Sequence, residues 1–110
     1  MARDSNALLH GTLDVLVLKT LSWGPMHGYS IAKWIEDRTE QELEIVDAAL
    51  YKALHRLEQD GHIAAEWGLS ENNRRARYYS LTSRGRQALK AESATWRRFA
   101  TAVFRVLEAS

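Results

Sequence analysis

Three rhythms of apolar and polar residues divide this chain. From Leu8 to Leu21 the apolar positions Leu13, Val15, Leu16, Val17, Leu18 and Leu21 fall on nearly every side of a helix. That pattern predicts a helix buried on more than one face, at the centre of a fold or of an assembly. The stretch "WGPMHG" ends it, with Gly24 as the C-terminal cap and Pro25 unable to continue the ladder. A second helix is expected from Tyr29 to Arg38, with Ile31, Ala32 and Ile35 inward and Lys33, Glu36 and Asp37 outward. Leu43 to Val46 ends in β-branched residues and reads as a short strand. Asp47 is the expected N-cap of a third helix, Ala48 to Gln59, in which Leu50, Leu54 and Leu57 recur at i, i+4 and i+7. Its opposite side carries Tyr51, Lys52, His55, Arg56 and Gln59, and Asp60-Gly61 stops it.

Beyond Gly61 the period changes to two. Ile63, Ala65 and Trp67 alternate with Ala64 and Glu66, and "YYSL" alternates again. Two strands joined by a polar loop from Gly68 to Arg75 make a hairpin. Thr82 or Ser83 is then expected to cap a last helix reaching about Glu108. Along it Leu89, Trp96, Phe99, Val103 and Val106 form a coiled-coil-like seam, broken by Glu92. A stripe this long on the terminal helix of a small chain calls for a partner helix, and a second copy of the chain is the simplest source. No internal repeat, low-complexity tract or linker interrupts the sequence.

Composition narrows the classes. The chain has 110 residues, 45% hydrophobic and 26% charged, which suits one soluble domain with one core. It has no cysteine, so disulfides, thiolate zinc sites and cysteine nucleophiles are excluded, and a reducing cytoplasm is the expected location. The run "LDVLVLKTL" is interrupted by Asp14 and Lys19, too short and too charged for a membrane span. No phosphate loop, nucleophile elbow or paired-carboxylate spacing appears, and no cofactor or enzymatic activity is expected. The four histidines (His10, His27, His55, His62) are not spaced i, i+3 or i+4 on one helix, so no metal site is expected.

The net charge of +1 conceals a segregated distribution. Glu36 to Asp47 holds six acids and one base, a local charge of −5. Glu71 to Arg98 holds eight bases and two acids, a local charge of +6. Such a molecule can engage a polyanion on one side while remaining near neutral. The densest cationic stretch is "ENNRRARYYSLT", where Arg74, Arg75 and Arg77 precede Tyr79 and Leu81. The apolar pair is expected to pin the hairpin to the core, leaving the arginines with Asn72 and Asn73 on a projecting tip.

The order helix, helix, helix, hairpin, long helix is the layout of a winged helix-turn-helix, a mainly α (α+β) fold. A helix fits the DNA major groove, where base edges present distinguishable donors and acceptors. Tyr51, Lys52, His55 and Arg56 are the expected contacts from the third helix, with Tyr29 from the second. Arg74, Arg75 and Arg77 would neutralise phosphates or enter the minor groove, with Asn72 and Asn73 adding hydrogen bonds. Trp23, Trp34 and Trp67 are expected in the core or as groove wall.

The same residues carry a family resemblance. "ALYKALHRLEQDGHI" followed by "RRARYYSLTSRGRQAL" resembles the PadR family of bacterial transcriptional regulators, and "MHGYSI" fits the opening of that family's second helix. The shared positions are Leu50-Tyr51, Leu54, Arg56-Leu57-Glu58, Gly61, Ile63, Tyr79, Leu81-Thr82 and Gly85. Two positions depart from it: Ala49 stands where the family commonly has a hydroxyl residue, and Lys52 where it has proline. The resemblance implies a DNA-binding domain over residues 1–82 and a dimerisation helix over 83–110. It further implies a homodimeric repressor on a pseudo-palindromic operator, released by a small aromatic or lipophilic effector. Trp96 is the expected effector contact, because two facing indoles across a two-fold axis would leave a flat slot. The rival reading is a winged-helix protein–protein adaptor that does not touch DNA; an acidic third helix would favour it, and Lys52 and Arg56 speak against it.

Overall fold

A computed structural model describes residues 12–110 of the chain. Among them are four helices and three strands: α1 (Leu13–Leu21), β1 (Met26–His27), α2 (Gly28–Arg38), α3 (Asp47–Gln59), β2 (Ile63–Leu69), β3 (Arg75–Leu81) and α4 (Ser83–Leu107). The part of the expected first helix before Thr12, with His10, lies outside the described residues.

Helix α1 is the hub, as its all-round apolar pattern predicts. It packs against α2, α3, α4 and β3. Leu13, Val17, Leu18 and Leu21 are buried, and the buried Thr20 satisfies its hydroxyl by donating to the Leu16 carbonyl at 2.8 Å. Around it the core gathers Ile31 and Ile35 of α2, Leu50, Ala53, Leu54 and Leu57 of α3, and Ile63 and Tyr79 of the hairpin.

The sheet is antiparallel in the order β1-β3-β2. Pairing of β2 with β3 runs from Ile63 opposite Leu81 to Leu69 opposite Arg75. One face therefore carries Ile63, Ala65, Trp67 and Leu69 with Leu81, Tyr79, Arg77 and Arg75. At its root this face is core, and Tyr79 is only 6% exposed. Towards the tip it becomes cationic and aromatic. The third strand, β1, pairs Met26 with Tyr79 and His27 with Tyr78. Two residues leave no period to detect, which is why the sequence pattern does not announce it.

Four local expectations are corrected. Leu43–Val46 is not a strand but an irregular approach to α3. Its Ile45 is buried, and the Ile45 amide donates to the Glu36 carboxylate at 2.8 Å. Glu36 is therefore turned onto this segment rather than outward. Asp47 is the first residue of α3, not its cap; Val46 occupies the N-cap without a side-chain bond. The Asp47 carboxylate still lies in the first turn, where the helix dipole favours it. Trp23 is neither core nor groove wall: it is exposed, with the Lys19 ammonium 5.3 Å from its ring centroid.

The junction from wing to last helix is tightly built. Thr82 caps α4, its hydroxyl accepting from the Gly85 amide at 3.0 Å and donating to the Gly61 carbonyl at 2.7 Å. Gly85 is buried against the chain entering β2, and a Cβ there would run into the His62 carbonyl oxygen. Ala88 and Leu89 still pack on the core, and Trp96 is half-buried. From Phe99 onward the helix leaves the body of the domain, giving the molecule extents of 56 × 30 × 20 Å. Phe99, Val106 and Leu107 are 62%, 76% and 72% exposed, so among the described residues the outer part of the seam is left uncovered.

Candidate nucleic-acid interface

The first turn of α2, the outer side of α3 and the β2–β3 wing enclose a trough of about 760 Å3. Each wall has a local cause. His27 caps α2, its Nδ1 accepting from the Ser30 amide at 3.3 Å. The same imidazole meets the Tyr78 ring edge-on at 5.4 Å between centroids, which ties the helix start to β3. Tyr29, the next residue but one, is 74% exposed and lines the trough with Ser30 and Lys33. Tyr51 of α3 is 53% exposed and leans on the start of α2. Its hydroxyl lies 2.9 Å from where a Cβ on Gly28 would stand, so the glycine leaves room for the tyrosine tip against the start of α2.

The wing supplies the opposite wall. Its tip is a tight turn in which the Asn73 amide donates to the Ser70 carbonyl at 2.9 Å and the Ser70 amide to the Arg74 carbonyl at 2.8 Å. Asn73 adopts φ 62°, the left-handed region that asparagine tolerates. Only Arg74 belongs to the turn. Arg75 opens β3 and Arg77 lies inside it, so these two climb one face of the wing while Arg74 stays at its tip. The Arg75 guanidinium lies over the exposed Trp67 ring at 4.5 Å from the centroid, an arrangement that orders a cation without neutralising it.

The structure brings most of the expected contact residues together. Tyr29, Tyr51, Asn72, Arg74, Arg75 and Arg77 line one trough. Lys52 and His55 are exposed on α3 beside it, and Asn73 is exposed at the wing tip. Trp67 is a groove wall, one of the two places expected for it, whereas Trp34 packs against the core. Lys33 and Ser30 were not among the expected residues. Lys33 follows Tyr29 by four positions, a spacing that puts both on one helix face and could have identified it.

Two arginines are already engaged. Arg56 grips Asp14 of α1 with Nη2 at 2.6 Å from Oδ1 and Nε at 3.4 Å from Oδ2. The hydrogen bond to Asp14 raises the Arg56 pKa above its ordinary value, against a smaller opposing effect of desolvation. Arg77 reaches back from the wing to Glu58 of α3, Nη2 to Oε2 at 2.9 Å. Among the described residues no group of His, Asp or Glu could hold a metal ion, and no helix is long and apolar enough to cross a membrane.

Comparison with known proteins gives the arrangement its context. The profile of the transcriptional regulator PadR-like family matches residues 17–91. An uncharacterised protein of Lysinibacillus sphaericus is 30% identical over 89 residues, spanning 81% of this chain and 82% of that one. Among solved structures, a transcriptional regulator from Clostridium thermocellum superposes with a TM-score of 0.82 at 29% identity, covering 90% of this chain and 96% of its own. A PadR family transcriptional regulator from Eggerthella lenta gives a TM-score of 0.80 at 32% identity, covering 94% and 88%. The match from Val17 of α1 through α2, α3 and the wing into α4 makes this chain a member of the PadR-like family of transcriptional regulators, winged-helix DNA-binding proteins rather than enzymes.

Proposed function

We propose that the protein is a homodimeric repressor that lays α3 in the major groove of a pseudo-palindromic operator while the wing holds the flanking backbone. The observation that carries this reading is the trough itself: cations on a projecting wing stand across from the start of α2 and from Tyr51 of α3, the second helix of the helix-turn-helix. Lys52 and His55 face outward on that helix and are suited to base edges or phosphates. Arg74 and Arg75, with Asn72 and Asn73, serve phosphates or the minor groove, and Tyr29 and Tyr51 add hydroxyl donors to the backbone. Residues 1–82 act as the DNA-binding unit and 83–110 as the assembly helix, although the first turns of α4 also complete the core. The cytoplasm is its place of action.

The second copy covers the seam of Leu89, Trp96, Phe99, Val103 and Val106. Trp96 already stacks obliquely on Phe99 of its own helix, 5.6 Å between centroids at 50°. A planar aromatic effector entering between the two copies at Trp96 would spread the reading helices and lower operator affinity, by preferring the spread state. The deciding experiment is a salt-titrated binding measurement with duplex DNA. Arg74→Ala with Arg75→Ala should lower the slope of log K against log salt by about 0.9 per lost phosphate contact. An unchanged slope would remove the wing from the interface, and a wild type without salt-dependent binding would favour the adaptor reading. Quenching of Trp96 by compounds that release the DNA, in a variant with Trp23, Trp34 and Trp67 replaced by phenylalanine, tests the effector slot.

A further inference from the structure

We propose that Arg56 is a positioning residue, held by Asp14 at the α1 side of the reading helix, and that it does not contact DNA. The inference rests on the DNA-binding reading above and refines which residues of α3 do the reading. Three observations carry it. First, the Nε and Nη2 edge of the guanidinium is committed: these two nitrogens face the two oxygens of Asp14, a fork that fixes its plane as well as its distance. Second, its place on the helix is lateral. Tyr51 turns to the trough and Glu58, seven residues on, turns to the wing, whereas Arg56 turns to α1. Lys52 and His55 lie between these flanks and are the outermost side chains of the pair of turns. Third, the opposite flank carries a matching tie, Arg77 of the wing to Glu58.

The apolar face of α3 fixes how deep the helix sits, since Leu50, Ala53, Leu54 and Leu57 are all buried. These four span about 100° of the helix and fix its coarse roll as well, so the groups at its edges settle only the small rotation that remains. Two ion pairs on opposite edges, one to α1 and one to the wing, trim that rotation and so aim Lys52 and His55. Helix α1 also packs on α4, so the Asp14 tie joins the reading helix to the element on which the assembly helix rests. Both pairs are partly exposed and contribute little to folding stability, so variants at Asp14 and Arg56 remain folded.

The test uses the full-length protein and the duplex that the wild type selects from a random-sequence pool, with binding followed by fluorescence anisotropy. Asp14→Asn and Arg56→Gln should each weaken binding by a similar factor, about threefold to tenfold, with the preference at every base pair retained. The salt slope should be unchanged in both. The exchange Asp14→Arg with Arg56→Asp should recover most of the loss, because the tie is rebuilt with its charges reversed. The inference is overturned if Asp14→Asn tightens binding, as a freed DNA-contacting arginine would. A slope lowered by about 0.9 in Arg56→Gln, a preference lost at one base pair, an exchange variant no better than Arg56→Gln, or no effect of either single change would overturn it as well. A wild type that selects no duplex fails at the earlier step and rejects the DNA-binding reading itself.

Discussion

Gly85 is the described glycine with the least room for a side chain. The amide that donates to the Thr82 cap and the missing side chain that admits the His62 carbonyl belong to the same residue, which ties the start of α4 to the start of β2. Gly85→Ala should destabilise the protein by about 1–3 kcal/mol or more, since backbone and not a flexible side chain must give way; a urea midpoint at fixed protein concentration measures it. Glu92, one turn after Leu89, is a second residue whose environment sets its behaviour. Burial raises its pKa above the ordinary carboxylate value, and the charge of Asp14 adds to the effect, while His62 opposes it. The native state therefore holds this proton more tightly than the unfolded chain does. Stability from this group rises as pH falls through its raised pKa, and the burial cost is carried in full above it. Glu92→Gln should raise the melting temperature near about pH 7, with a smaller gain near about pH 4.

At the scale of elements, α4 is the one whose surface does not match its surroundings. On a wheel, the apolar residues from Trp96 to Leu107 include Phe104 and Leu107 beside the seam and span an arc of about 160°. That is wider than a two-helix seam needs, and it fits contact with more than one helix of a second copy. Phe99→Asp with Val103→Asp should convert a dimer to a monomer in sedimentation and weaken operator binding by about hundredfold or more, because the two half-sites are no longer bound together. A variant that sediments as a stable dimer would move the interface elsewhere. The wing differs in kind: its root is fixed by Tyr79 and Leu81 in the core, and its outer half is tied to α3 by the Arg77–Glu58 pair.

For the whole molecule, charge and shape act together. The cationic trough belongs to an elongated body of 56 × 30 × 20 Å, and joining two such bodies through α4 would set the distance between their α3 helices. Two helices that enter successive major grooves on one face of DNA lie about 34–36 Å apart. Footprinting should therefore show two protected half-sites of mirrored sequence, and inserting about five base pairs between them, half a helical turn, should abolish cooperative binding. Equal protection at every spacing would mean that the two reading helices act independently.

How much of this was legible in the sequence follows from the range of each interaction. The hub helix, the inward stripes of α2 and α3, the wing and the Thr82 cap are all written in local periodicity and turn chemistry. So is the cationic run from Arg74 to Arg77, because its residues are neighbours in the chain. What depends on meeting a distant segment could not be read there. Strand β1 exists only because Met26 and His27 find β3. Leu43–Val46 has strand-like residues but does not join the sheet, and Glu36 takes the Ile45 amide instead. Arg56 looks like a free cation on an exposed helix face until tertiary structure brings Asp14, 42 residues earlier, to within 2.6 Å of it. Periodicity determines which face of a helix is buried; only the packed molecule decides which of the remaining polar groups are already partnered and which are left for DNA.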